Sequence, residues 1–270
     1  MCGAARATLF KIHAWVGIAA GLYIGVMSVS GSALVFYPEL YRALSPRPAI
    51  VWRANPLTRV QLKQAALKVH PGSEVAWIWD RPQPAGLVEI WMTDGGRQTE
   101  RLFNAFTGDD LGSATPFSIR ALSALKNFHR TLLAGAAGHI VNAAGAFLMT
   151  VLAVSGLWLL WPGISRGRIF SASRLNPFDH RALGFWTLPF VLLSGATGMV
   201  LALEAPLNPP KALVSMSYLI HGMALGWWPI RLFWMLLGLA VPVLAVTGLT
   251  LWLLRARRSG RIYLAGPLSS

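Results

Sequence analysis

Four of the six histidines in this chain of 270 residues occur in a repeating pattern. A shift of 92 residues lays His129 on His221 and, without a gap, Val151-Leu-Ala-Val-Ser-Gly-Leu157 on Val243-Leu-Ala-Val-Thr-Gly-Leu249. Six of those seven positions are identical, which marks an internal repeat rather than shared hydrophobicity. A second shift, of 167 residues, lays His13 on His180, Gly17 on Gly184 and Ser30-Gly31 on Thr197-Gly198. The chain therefore reads as two copies of one helical hairpin, with a histidine near one end of each helix.

A single histidine in an apolar helix is ordinarily a hydrogen-bonded core or interfacial residue. Ionisable groups inside membrane segments are costly, however, and are functional candidates by default. Hairpins running the same way imply a pseudo-two-fold axis close to the membrane normal. That axis pairs His13 with His180 and His129 with His221. Two imidazoles facing each other across an axis are what a bis-histidine haem requires, with one axial nitrogen from each half. A zinc site takes three or four ligands, commonly with thiolate or carboxylate among them, and the bundle offers only Asp179 and Glu204.

Gly17 and Gly184 follow their histidines by four residues, one turn on and on the same face, which leaves room for a porphyrin ring. Gly31 and Gly198 lie 18 residues on and return to that face. They suit a flat cofactor and small-residue helix packing equally. His139 falls on Arg231 in the repeat, so it has no symmetric histidine and is not read as an axial ligand. With Arg130, Arg181 and Arg231 it is a candidate contact to a propionate or a quinone. Trp158, Trp161, Trp227, Trp228 and Trp252 read as an interfacial aromatic belt.

The elements that must position these residues are apolar and long. Only 13% of the chain is charged and its mean hydropathy is +0.51, against about 25% charged for a soluble domain. Four segments, near 9–37, 137–162, 181–203 and 229–254, exceed the roughly 20 apolar residues needed to cross a hydrocarbon core. From His129 to Trp161 is 32 residues, about 48 Å as continuous helix, so a break is expected near Gly135 and Gly138, and likewise near Gly226 and Pro229. Arg6 and Lys11 precede the first segment. Arg166, Arg168 and Arg174 lie between the second and third, and Arg255, Arg257, Arg258 and Arg261 follow the fourth. The positive-inside rule then puts both termini and the 163–180 loop in the cytoplasm, and puts residues 38–120 and the 204–228 connection outside, in a bacterial periplasm.

The organisation expected is a first transmembrane helix in 1–37 and an outer domain in 38–120. An interfacial helix and second transmembrane helix follow in 121–162, then the loop 163–180 and the third transmembrane helix 181–203. The outer connection 204–228, the fourth transmembrane helix 229–254 and a tail 255–270 complete it. The outer domain reads as α+β: Thr58 caps a helix to about Val69, ended by Pro71-Gly72. Strand-like runs follow at Val75–Trp79, Leu87–Met92 and Arg101–Phe106. His70 reads as a turn residue there, and no catalytic constellation is apparent.

The net charge of +14 would suit nucleic acid only if it formed a basic face. Instead eight of the ten acidic residues lie between Glu39 and Asp110, and most basic residues outside that segment flank apolar ones, so nucleic-acid binding is not expected. The single cysteine, Cys2, excludes an intramolecular disulfide and a thiolate cluster. The first apolar segment is too long for a signal-peptide core and reads as an anchor.

His13-x-x-x-Gly17 with Ser30-Gly31, Phe128-His-Arg-Thr-Leu132, Asp179-His-Arg-Ala-Leu-Gly184 and Leu219-Ile-His-Gly222 together resemble the PepSY-associated transmembrane helix family. Phe103–Gly112 is similar to the closing strand of a PepSY-type domain. The resemblance spans nearly the whole chain. It implies a bacterial inner-membrane protein akin to ferrioxamine-type siderophore reductases, with two b-type haems held by His13, His180, His129 and His221. It further implies electrons passed across the membrane to a periplasmic ferric siderophore or other chelate, releasing Fe(II) for uptake. Neither a dinucleotide fingerprint nor a P-loop is present in the sequence, so the donor is expected to be a quinol or a cytoplasmic reductase. The alternative from another class is a non-catalytic PepSY membrane protein that binds or regulates a periplasmic partner, its histidines being structural.

Overall fold

In the computed structural model the described residues are 3–81, 85–165, 179–222 and 226–258. In chain order the helices are α1 (Gly3–Leu34), α2 (Tyr37–Leu44), α3 (Arg59–Val69), α4 (Phe117–Thr131), α5 (Gly135–Ile164), α6 (His180–Ala202), α7 (Glu204–Leu207), α8 (Lys211–His221) and α9 (Trp228–Arg258). A four-stranded antiparallel sheet, β1 (Glu74–Asp80), β2 (Leu87–Asp94), β3 (Arg97–Asn104) and β4 (Asp110–Ser113), lies between α3 and α4. The chain divides into two compact units, one of Met1–Phe36 with Leu125–Ser270 and one of Tyr37–Ala124.

Within the first unit α1, α5, α6 and α9 are long and apolar enough to cross a membrane, which makes this a multi-pass membrane protein. They are apolar on all sides, as lipid-facing helices are. Large side chains such as Leu22, Trp186 and Val246 point outward, while Ala20, Ala143, Ala153 and Ser155 are buried. Small inward residues let helix backbones approach closely where no hydrophobic drive separates helix from lipid. The closest partners are α1 with α9 and α5 with α6. One hydrogen bond at the α1–α9 seam has a clear cause. Pro242 has no N–H to give the Gly238 carbonyl four residues earlier, and Ser28 Oγ supplies the missing donor at 2.8 Å.

The first apolar element begins earlier than position 9 and ends at Leu34, where a separate short helix, α2, takes over. At the other end α9 carries Arg255 and Arg257 on its last turn rather than in a tail. Arg166, Arg168, Arg174, Arg261 and Cys2 lie outside the described residues. The chain does break before α5: Leu132, Leu133 and Gly135 have φ of 51°, 59° and 54°, the left-handed region that non-glycine residues rarely enter.

In the second unit Thr58 caps α3 through a capping box with Gln61. Leu62 and Ala66 of α3 pack on Val88, Ile90, Met92 and Phe103 of the sheet. Gly95 and Gly96, with φ of 52° and 82°, make the tight turn joining β2 to β3. β3 starts at Arg97, four residues before the run seen in the sequence, because pairing with β2 organises polar residues that have little strand preference. The Phe103–Gly112 stretch, read as a closing strand, holds the end of β3, a turn and the start of β4, Asp-Leu-Gly-Ser, which is held by pairing with β3.

His70 is more than a turn residue. Its Nε2 donates to Asp110 Oδ2 at 2.6 Å, and Arg101 Nε donates to the same oxygen at 2.6 Å. Burial pushes the Asp110 carboxyl up, but hydrogen bonds from Arg101, His70 and the Gly112 amide outweigh it and hold the group below the usual carboxylate value. A depressed carboxylate contributes stability that is present above its unfolded pKa and lost as pH falls through the folded one. We therefore expect Asp110→Asn to destabilise the β3–β4 region by about 2–3 kcal/mol near pH 7, and expect this difference to shrink on acidification below the carboxylate range. Amide exchange of β3 and β4 in the full chain would measure both.

Candidate functional site

Each of the four repeated histidines meets a hydroxyl on another helix. His13 Nδ1 lies 2.8 Å from Ser155 Oγ, and His180 Nδ1 lies 3.1 Å from Thr247 Oγ1. His129 Nδ1 is 3.0 Å from Ser30 Oγ, and His221 Nδ1 is 3.0 Å from Thr197 Oγ1. The hydroxyls are already engaged as donors. Ser155 gives its hydrogen to Val151 O at 2.7 Å, Thr247 to Val243 O at 2.8 Å, Thr197 to Leu193 O at 2.6 Å and Ser30 to Met27 O at 2.9 Å. A hydroxyl has one hydrogen to give, so a hydroxyl that gives it to the backbone carbonyl accepts from the imidazole, which then carries its proton on Nδ1. Among the described residues Nε2 of these rings has no hydrogen-bond partner, which leaves its lone pair available.

Glycine makes the contact possible. The residue after each hydroxyl is Gly156, Gly248, Gly31 or Gly198, and a Cβ there would meet the imidazole Cε1 at 3.3, 3.0, 2.8 or 3.1 Å. Four Ser/Thr-Gly dipeptides thus act as seats, the hydroxyl fixing the tautomer and the bare backbone admitting the ring. Gly31 and Gly198 belong to these seats. Neither of the two roles weighed for them from sequence, cofactor room or helix packing, describes this contact.

The seated rings stand in pairs. The His13 and His180 centroids are 6.2 Å apart with planes at 75°, and those of His129 and His221 are 6.1 Å apart with planes at 38°. The first pair opens into a cavity of about 1830 Å³ lined also by Gly17, Gly184, Arg6, Lys11, Arg181 and Arg255. A Cβ on Gly17 or Gly184 would make ordinary contact with Leu152 or Leu244 at 3.7 or 3.8 Å, and both glycines line the cavity. Burial and the neighbouring His221 lower the His129 pKa to about 4, and burial lowers that of His221. Both rings outside the membrane spans are therefore neutral near pH 7.

The remaining candidates are dispersed. Arg181 pairs with Asp179, the N-cap of α6, at 3.3 Å beside the first cavity. Arg130 reaches Tyr218 Oη at 3.4 Å. Arg231 donates to the Val35 carbonyl and stacks on Phe36 at 4.7 Å. His139 joins neither pair; its Nδ1 is buried without a hydrogen bond. The sequence contained a signal for Ser155 and Thr247 that went unused: they are the one non-identical position of the seven-residue repeat, and both residues keep a hydroxyl.

Fold and site together define a multi-pass membrane protein with two histidine pairs inside its helix bundle. The chain belongs to the PepSY-associated TM region family, whose model matches residues 10–217. It is also 34% identical over 89 residues, 32% of its length, to a Pseudomonas aeruginosa protein described as uncharacterized. That match covers 23% of the relative, so the chain spans about a quarter of that protein's length.

The seats yield a comparison of substitutions. Gly31→Ala puts a Cβ 2.8 Å from His129 and should leave the protein about 1–3 kcal/mol less stable than Gly17→Ala. In Gly17→Ala the new methyl group meets nothing closer than 3.7 Å. Unfolding of the detergent-solubilised variants, with no added cofactor, would show the difference.

Proposed function

We propose that the protein is a haem-containing inner-membrane reductase that passes electrons across the membrane to a periplasmic ferric siderophore or other ferric chelate. The observation that carries this reading is the pairing of four imidazoles, each with its Nδ1 at a hydroxyl of another helix. Two imidazoles on opposite faces of one metal ion stand with centroids about 6 Å apart, from two metal–nitrogen bonds of about 2 Å and the radius of each ring. The separations of 6.2 and 6.1 Å fit this. Among the described residues no group of three or more His, Cys, Asp or Glu gathers to hold a bare ion.

In this reading His13 and His180 hold one b-type haem, and His129 and His221 hold the other. Bound there, haem would supply one-electron chemistry. The chain's own residues do the rest. Ser155, Thr247, Ser30 and Thr197 keep each Nε2 unprotonated and each ring oriented, as partners behind metal-bound histidines do. Gly17 and Gly184 line the cavity beside the first pair, and Arg6, Lys11, Arg181 and Arg255 offer cations to carboxylates there. Both termini would be cytoplasmic, with the Tyr37–Ala124 unit periplasmic as an insertion in the first of two repeated hairpins. The donor, a quinol or a cytoplasmic reductase, is oxidised, and the chelated Fe(III) gains one electron. Fe(II) is held less tightly by hard oxygen ligands and is released for uptake.

Reduced-minus-oxidised spectra with haem quantitation test this. The wild type should carry haem at both pairs, and His13→Ala and His129→Ala should each lose one centre while keeping the other. Protein that stays colourless despite ample haem would overturn the proposal and leave the partner-binding alternative.

A further inference from the structure

The α4–α5 corner is built in an unusual way. Leu132 and Leu133 hold left-handed backbone, a conformation that costs on the order of 1–3 kcal/mol per residue unless its surroundings impose it. Gly138 lies so close against the Thr131 main chain that a Cβ would overlap its carbonyl. One turn further along α5, Asn142 Nδ2 donates to the carbonyls of His129 and Arg130, both at 2.8 Å. These are among the last carbonyls of α4, which have no partner inside the helix. With both its hydrogens given to carbonyls, the Asn142 amide must turn Oδ1 to Tyr23, whose hydroxyl donates to it. Every polar atom of the Asn142 amide therefore has a partner.

The same place in the other half is occupied by a different residue type. Asn142 lies 13 residues after His129, and Trp234 lies 13 residues after His221. Trp234 Nε1 donates to the His221 carbonyl at 3.3 Å. Tyr23, the partner of Asn142, falls on Phe190 under the 167-residue shift. Phe190 packs edge-on against Trp234, with centroids 4.7 Å apart. The two halves thus share one contact scheme, written in polar groups on one side and in aromatic rings on the other.

We propose that Asn142 and Trp234 are paired positioning residues for the His129–His221 site. Each binds the main-chain carbonyl of the histidine that it follows and so fixes where that imidazole stands over its Ser/Thr-Gly seat. The hold is unequal. Asn142 makes two short bonds and is itself anchored by Tyr23, whereas Trp234 makes one longer bond. His129 is the rigid member of the pair and His221 the yielding one. The role assigned rests on the histidines being ligands, but the clamp itself does not.

Two measurements on the full chain in detergent or nanodiscs separate these. In protein free of haem, hydrogen exchange of residues 125–133 reads the clamp directly. Asn142→Leu should speed exchange in the last turn of α4 and leave α6 unchanged. In haem-loaded protein, haem transfer to an apoprotein acceptor and the midpoint potential of each centre read its consequence. Asn142→Leu should weaken retention at the His129–His221 centre by about 10–100-fold, the usual effect of losing a partner behind a metal ligand. It should shift that centre's potential and leave the His13–His180 centre as in the wild type. Trp234→Phe, which removes only the N–H, should act in the same direction but less, with faster exchange at the end of α8. If Asn142→Leu is not recovered folded, Tyr23→Phe removes the anchor alone and should show the same pattern more weakly. Unchanged exchange in α4, or equal shifts of both centres, would overturn the proposal. A wild type that takes up no haem would remove the ligand reading, and the exchange result would then decide the clamp alone.

Discussion

A serine or threonine hydroxyl on a helix often gives its hydrogen back to the carbonyl one turn earlier. Four times in this bundle that habit turns the hydroxyl oxygen into a pure acceptor facing a histidine. The imidazole has one consistent answer, a proton on Nδ1, and its other nitrogen is then left with a lone pair and no protein partner. The glycine that follows each hydroxyl leaves the ring its place: a methyl group would come too close at Gly31 and would press on the ring at the other three. Ring orientation, tautomer and helix spacing therefore depend on one dipeptide used repeatedly.

The rest of the bundle is arranged around keeping those seats in register. Hydrocarbon lipid offers helices no hydrophobic reason to associate, so contact comes from small residues and from buried polar bonds. The Ser28 bond to a carbonyl released by Pro242 is one such device. The Asn142 amide, tying α1, α4 and α5 at a single point, is another. Each seat also joins two helices, because the histidine and its hydroxyl come from different elements. The histidines hold the bundle together as well as equip it.

The Tyr37–Ala124 unit follows ordinary soluble-domain rules instead. A capped amphipathic helix covers one face of a meander sheet, and a carboxylate shared by His70 and Arg101 ties the helix end to β3 and β4. Polar networks of that kind are worth most when fully satisfied, and Asp110 is engaged through both oxygens.

Much of the molecule was legible before any coordinates. Apolar length marked the spans, because the thickness of a bilayer sets how many residues a crossing needs. Thr58 and Gln61 marked the start of α3, and the two repeat shifts marked which histidines belong together, since these are local signals or exact correspondences along the chain. What sequence could not supply were partnerships between residues distant in the chain. Ser155 faces His13 across 142 positions and Thr247 faces His180 across 67; the hydroxyl kept at both places of the repeat marks the residues but not the histidine that each one faces. β4 exists only because β3 pairs with it, and His70 acquired a role only when β4 brought Asp110 beside it. Asn142 and Trp234 are the clearest case. The 92-residue shift lays one on the other, yet they share no chemistry beyond an N–H, and only the carbonyl that each one meets shows that they act alike. Hydropathy and periodicity act through neighbours along the chain, whereas the histidine seats are made by helices meeting, and only the tertiary structure decides which atoms meet.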